Sequence, residues 1–301
     1  MISVRNAKYS NIKFVLIYLV IFGHLIEPGI LSNRWLEIIY GIIYSFHMPL
    51  FAFLSGLFVK SEENCEKQGI SLLKLYCLLQ GIIVIAAWGK QDAFTPFWHL
   101  WYLLSSCMWM LLGRLWLRYG KAYMGQAVLL CAVALGCIVG YIPWINRIFS
   151  LSRSIVFFPF YFAGLLCRED TVGKKYKKLS WVTATVAFLL FFIIKTKIPV
   201  TFYYQAEPYS SLYMGWLYRL ITYGIGGGFS FFILNVVPSK KYFFTKFGAD
   251  TFIPYLLHGP IVLLLRMLPL PWYVHPFLAF LLILLLYRLS CMVYRIYGIK
   301  V

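Results

Sequence analysis

Long apolar runs separated by short polar gaps recur from one end of this chain to the other, and each approaches the roughly 20 residues that a helix needs to cross a bilayer. The runs read as spans from Lys13 to Ile30, Ile38 to Phe58, Leu72 to Trp88, Phe97 to Leu117 and Ala122 to Tyr141. They continue as Ile148 to Cys167, Leu179 to Ile194, Tyr213 to Leu234, Thr251 to Met267 and Trp272 to Tyr287. Only 13% of residues are charged, against about a quarter in a soluble domain. The expected fold class is therefore all-α integral membrane, with about ten transmembrane helices in a single domain over residues 1–301. The basic start precedes an apolar run with no small-residue cleavage site, so the first run is expected to be retained as a helix.

A formal net charge of +18 would suit nucleic acid if the cations formed a stripe. They fall instead in brief clusters between apolar runs, as loops retained on the cytoplasmic side do. With the N-terminus inside, the inner side holds 20 Lys and Arg and the outer side 7, with Arg219 inside a span. Both termini are thus expected to be cytoplasmic, and no nucleic-acid partner is expected. Six of the seven Cys lie in or at the ends of apolar runs without C-x-x-C spacing, which implies neither a disulfide framework nor a metal site. Pro49, Pro159, Gly226 to Gly228 and Pro254 interrupt spans. Such breaks mark cavities or simple packing kinks.

Ionisable residues in apolar runs need a reason. The first span contains Lys13, His24 and Glu27. Eleven residues bring Lys13 and His24 within about 20° of each other on a helix, about 16 Å apart along its axis. Glu27, three positions after His24, shares that face. His47, on the returning helix, reaches a similar depth, which would place two histidines on one cavity. Either could instead be a satisfied interhelical hydrogen bond. A neutral imidazole at that depth can act as general base toward a hydroxyl, with Glu27 fixing its tautomer. That chemistry fits acyl transfer. Lys13 suits an anionic, phosphate-bearing acyl carrier, or else snorkels to the interface.

These residues sit in strings that resemble the type-3 integral membrane acyltransferases, in particular the fucose 4-O-acetylase-like branch. The strings are Asn11-Ile-Lys13-Phe through Phe22-Gly23-His24, Phe46-His47-Met48-Pro49-Leu50-Phe-Ala-Phe-Leu54-Ser55-Gly56 and Phe97-Trp98-His99-Leu100-Trp101-Tyr102-Leu103. Arg153 with Phe158-Pro159-Phe160-Tyr-Phe-Ala-Gly164, and Tyr255-Leu-Leu257-His258, add to them. The resemblance implies ten helices in a bacterial cell membrane, acetyl-CoA or a related acyl-CoA bound from the cytoplasm, and transfer to a sugar hydroxyl of a surface or lipid-linked polysaccharide. It makes His24 the catalytic histidine. The family carries an Arg eleven positions before that His. Lys13 stands there instead, keeping the charge but losing the planar fork.

An arginine pair after the family's fourth helix is loosely matched by Arg114 and Arg118, which serve either the cofactor or the positive-inside pattern. Some relatives carry an extra hydrolase-like domain, and none is expected here. His99 and Trp101 are candidates to stack on a sugar, or members of the aromatic belt. Arg153 and Arg219 are candidates for an acceptor or counter-ion role. His258 lines the cavity or packs between helices. The competing functions are a transporter or flippase, built on broken helices and buried charges, and a non-catalytic component of polysaccharide export.

Overall fold

The computed structural model describes residues 4–59, 61–88, 90–167, 176–210 and 212–296. Lys60, Arg168, Lys174, Lys175 and Lys300 of the charge count lie outside them. Eleven helices follow one another among the described residues. They are α1 Val4–Ile26, α2 Arg34–Leu57, α3 Glu62–Ala86, α4 Trp101–Tyr119, α5 Gly125–Ile138, α6 Leu151–Leu166, α7 Lys177–Ile194, α8 Gly215–Val236, α9 Thr245–Ala249, α10 Phe252–Arg266 and α11 His275–Ile296. Nine segments built on these helices are long and apolar enough to span a membrane, so this is an all-α, multi-pass membrane protein.

The tenth apolar helix, α10, has 15 residues and is about 22 Å long, short of a hydrocarbon core of roughly 30 Å. Large apolar side chains such as Ile85, Leu130, Ile193 and Leu285 are exposed, as a lipid-facing surface requires.

Local chemistry sets the helix ends. The Asn33 carboxamide oxygen accepts from the backbone N–H of Trp35 at 2.9 Å and so caps the start of α2. Ser61 does the same for α3 through Asn64 at 3.2 Å. Pro28, in the short 3-10 turn Glu27–Gly29, stops α1 because it has no N–H to continue the ladder.

At the expected interruptions the helices run on: Pro49 and Pro159 lie inside continuous α2 and α6, and Gly226 to Gly228 lie within α8. Pro254 occupies the first turn of α10, where a missing N–H costs nothing. Packing along each helix outweighs the single lost bond.

The chain divides into two compact units. One comprises Met1–His47, Gly173–Thr183 and Phe231–Val301, the other Met48–Val172 and Ala184–Ser230. In the first unit, α1 meets α9 so closely that a Cβ on Gly248 would lie 1.8 Å from the carbonyl oxygen of Ser10. Asn11, buried, donates to the carbonyls of Pro238 and Lys240, each at 3.0 Å, and accepts from the Thr245 hydroxyl at 2.7 Å. Phe14 stacks on Phe244. This fixes the approach to α9 and α10 against the first helix.

In the second unit, α2 crosses α6 at two glycines. A Cβ on Gly56 would meet the Tyr161 carbonyl oxygen at 1.9 Å, and one on Gly164 the Phe53 carbonyl oxygen at 2.0 Å. Small residues permit this backbone approach, which drives helix association where lipid offers no hydrophobic force. Polar bonds tie α4 to α6: Ser105 to Ser154 at 2.7 Å, and the Trp109 indole N–H to the Ser154 carbonyl at 2.8 Å.

Candidate functional site

His24 lies in the last turn of α1, with its side chain 14% exposed. The Tyr44 hydroxyl of α2 lies 3.0 Å from its Nδ1, and the nearer Glu27 carboxylate oxygen lies 3.8 Å from the same nitrogen. On the other side, the His258 imidazole of α10 stacks on the His24 ring, centroids 5.5 Å apart and planes 15° apart. His258 is fully buried, and its Nδ1 lies 2.6 Å from the Tyr255 carbonyl oxygen.

Arg266, the last residue of α10, closes the arrangement. Its Nε donates to the His24 carbonyl at 2.8 Å, and its Nη2 donates to that carbonyl and to Glu27. A helix end leaves carbonyls without partners and carries partial negative charge, and a guanidinium answers both. The ion pair with Glu27 then removes the remaining charge imbalance, as a half-buried carboxylate at the end of an apolar span requires.

His47 is buried, and its Nδ1 lies 2.7 Å from the Ile43 carbonyl oxygen. Tyr44 stands beside it, ring centroids 4.7 Å apart, and also reaches His24. The expected pairing of His24 with His47 therefore runs through Tyr44. Lys13 Nζ donates to the Ala249 carbonyl at 3.3 Å beside Asp250, and His24 meets His258 nine residues further along the same stretch.

The remaining candidates belong to the second unit. Arg114 pairs with Glu62 at 3.3 Å and Glu66 at 3.0 Å, and Arg118 reaches Glu62 at 3.8 Å. Partly exposed pairs of this kind contribute about 0–1 kcal/mol. His99 is buried with its ring edge-on to Phe97 and Trp98. Trp101 stacks on Phe157, with the Arg153 guanidinium 4.9 Å from its ring centre. Phe157 and Arg153 are one turn apart on α6, and Arg153 Nε donates to the Tyr204 carbonyl at 2.9 Å.

Arg219 is 1% exposed in an aromatic setting, its guanidinium carbon 4.5 Å from the Phe202 ring centre and 5.4 Å from that of Tyr209. Its Nε donates to the Tyr209 hydroxyl at 3.3 Å, while Nη1 and Nη2 have no protein partner. This Arg answers π faces and a phenol, which accounts for its placement inside a span.

Sequence reasoning missed Tyr44 and Arg266. Arg266 carried a signal: a lone cation at the end of an apolar span needs a partner, and Glu27 is the acidic residue at the matching end of the first span. Tyr44, one of 23 tyrosines, carried none.

The sequence matches the acyltransferase domain described for the type-3 family over residues 6–295. It is 27% identical over 219 residues to the nodulation protein NolL of Sinorhizobium fredii (strain NBRC 101917 / NGR234), a match covering 62% of this chain and 57% of that protein. The match thus takes in just over half of that curated relative's length. No solved structure matches the chain.

Proposed function

The chain belongs to the type-3 membrane acyltransferase family, and from that premise we propose that it is an O-acetyltransferase with His24 as general base. The donor in this reading is cytoplasmic acetyl-CoA, and the acceptor is a sugar hydroxyl of a surface or lipid-linked polysaccharide in a bacterial cell membrane. Both termini lie on the cytoplasmic side, in keeping with the Lys and Arg asymmetry. The observation that carries the proposal is the engagement of one imidazole nitrogen. Nδ1 of His24 faces the Tyr44 hydroxyl and Glu27, and Glu27 is held in turn by Arg266.

With the ring proton on Nδ1, directed at Glu27 and Tyr44, the lone pair sits on Nε2. The acceptor hydroxyl gives its proton to Nε2 as its oxygen attacks the thioester carbonyl. The carbon–sulfur bond breaks, and the departing thiolate takes the proton from the imidazolium. Glu27 stabilises that imidazolium while it exists, and general-base catalysis by a positioned imidazole typically contributes about 10²- to 10⁴-fold in rate. Lys13 binds CoA phosphate as a point charge in place of its present carbonyl partner.

Purified protein in nanodiscs, given acetyl-labelled acetyl-CoA and lipid-linked or polymeric glycan, tests the reading. Transfer of label to glycan with stoichiometric release of free CoA is expected. Absence of acyl-CoA binding together with unlabelled glycan would refute it.

A further inference from the structure

In the second unit, Arg219 carries a charge that the described residues do not answer. It lies one turn into α8 and is 1% exposed. Its Nε–H is committed to the Tyr209 hydroxyl at 3.3 Å, and both terminal nitrogens, Nη1 and Nη2, are buried with no protein partner. No carboxylate pairs with it among the described residues. Glu207, the acidic residue nearest to it in sequence, is engaged by Arg147.

Neighbouring side chains cannot fill the gap. The Tyr209 hydroxyl gives its own proton to the Cys137 carbonyl at 2.7 Å, and the Tyr223 hydroxyl gives its proton to the Val156 carbonyl at 2.9 Å. Phe202 and Tyr209 present their rings to the guanidinium, which attracts the cation but leaves Nη1 and Nη2 without acceptors. A cation removed from water is costly unless it is both paired and hydrogen-bonded.

The aromatic walls are seated on glycines. A Cβ on Gly140 or Gly215 would lie 2.5 or 2.2 Å from the Tyr209 ring, and one on Gly136 would lie 1.8 Å from the Tyr223 hydroxyl. Side chains on a helix lean back toward its N-terminus, so the guanidinium lies over the first turn of α8, where the helix dipole adds positive potential. A buried cation set there without a carboxylate calls for an anion. The walls fix its size: with Arg219, Phe202 and Tyr209 all buried, a nucleotide, a sugar phosphate or a lipid headgroup has no room. A single negative charge cancels the guanidinium, whereas a doubly charged anion would leave an excess.

We infer that Arg219 binds one monovalent anion of halide size, such as chloride, through Nη1 and Nη2. The ion completes the charge balance and fixes the turn that carries Phe202 and Tyr209 to α8. That turn also supplies the Tyr204 and Gln205 carbonyls that accept from Arg153 at 2.9 Å and Ser152 at 2.8 Å at the start of α6. The bound anion thereby ties α6, the turn and α8 together. This site does not rest on the acyl-transfer reading, and its test does not use activity.

The test is binding of radiolabelled chloride to the full chain in phosphatidylcholine nanodiscs, read by scintillation proximity, with gluconate keeping the ionic strength constant. Saturable binding of one ion per chain is expected, displaced by bromide and not by gluconate. Chloride in place of gluconate should raise the thermal midpoint by about 2–8 °C. Arg219→Met puts an apolar side chain of similar reach where the buried charge stood, a replacement that folded proteins often accept. It should abolish chloride binding and the chloride response of the midpoint, whereas Arg147→Met, at an exposed cation, should leave both intact. Arg219→Lys keeps the charge but loses the planar fork and should weaken chloride about tenfold or more. Absence of saturable chloride binding in the wild type would overturn the inference and leave water as the partner of the Nη groups. Wild-type binding in Arg219→Met, or its loss in Arg147→Met, would overturn it equally. If Arg219→Met does not fold, Arg219→Lys decides, and wild-type chloride affinity in that variant would overturn the inference.

Discussion

The Tyr44 hydroxyl lies 3.0 Å from Nδ1 of His24, which ties a residue of α2 to the imidazole at the end of α1. Tyr44 is itself held by ring contacts with Tyr40 and His47, at centroid distances of 3.9 and 4.7 Å. Its hydroxyl therefore contributes orientation rather than packing. Tyr44→Phe keeps the rings and deletes the bond. The expected result is a fall in kcat of about 3- to 10-fold with the acetyl-CoA KM unchanged, measured by steady-state transfer kinetics.

Glu27 and Arg266 form a pair with side chains 24% and 19% exposed. Removing one partner strands the other charge, which in a fully buried pair costs about 3–5 kcal/mol. Partial exposure here reduces that to roughly 1–3 kcal/mol. Glu27→Ala and Arg266→Ala should each lower the thermal midpoint in detergent. The double variant should be less destabilised than the sum of the two and remain inactive. Additive losses would show that the pair is not coupled.

Glycine positions divide by what a methyl group would meet. Gly56→Ala drives a Cβ into the Tyr161 carbonyl and should destabilise by about 1–3 kcal/mol or more. Gly81→Ala, in α3 with nothing within 4 Å, should be neutral or stabilise by about 0.5–1 kcal/mol. Melting curves followed by size-exclusion fluorescence separate the two.

The membrane helices were legible because hydropathy alone sets them, and His24 was legible because it violates that hydropathy. Tertiary choices were not. Continuity of α2 through Pro49 and of α6 through Pro159 depends on neighbours that no local pattern names, such as the Gly56 and Gly164 crossing. Phe149 and Ser150 adopt positive φ although neither is Gly or Asn, so turn chemistry could not announce the turn that leads into α6. The partners of His24 come from α2 and α10, at sequence separations of 20 and 242 residues. A single sequence read segment by segment does not join them.

Lys13 tests the cofactor assignment apart from the chemistry. Its Nζ has a carbonyl partner at 3.3 Å, a weak bond that phosphate would displace with a charge-assisted one. Lys13→Ala should raise the acetyl-CoA KM by about tenfold, and Lys13→Arg should retain activity. An unchanged KM in Lys13→Ala would remove Lys13 from the donor site.

The most direct measurement of the central claim is single-turnover transfer from labelled acetyl-CoA by wild type and His24→Gln in the same nanodiscs. Loss of a general base predicts a rate lower by about 10²- to 10⁴-fold, with acetyl-CoA binding preserved. A His24→Gln protein that transfers label at the wild-type rate would contradict the account.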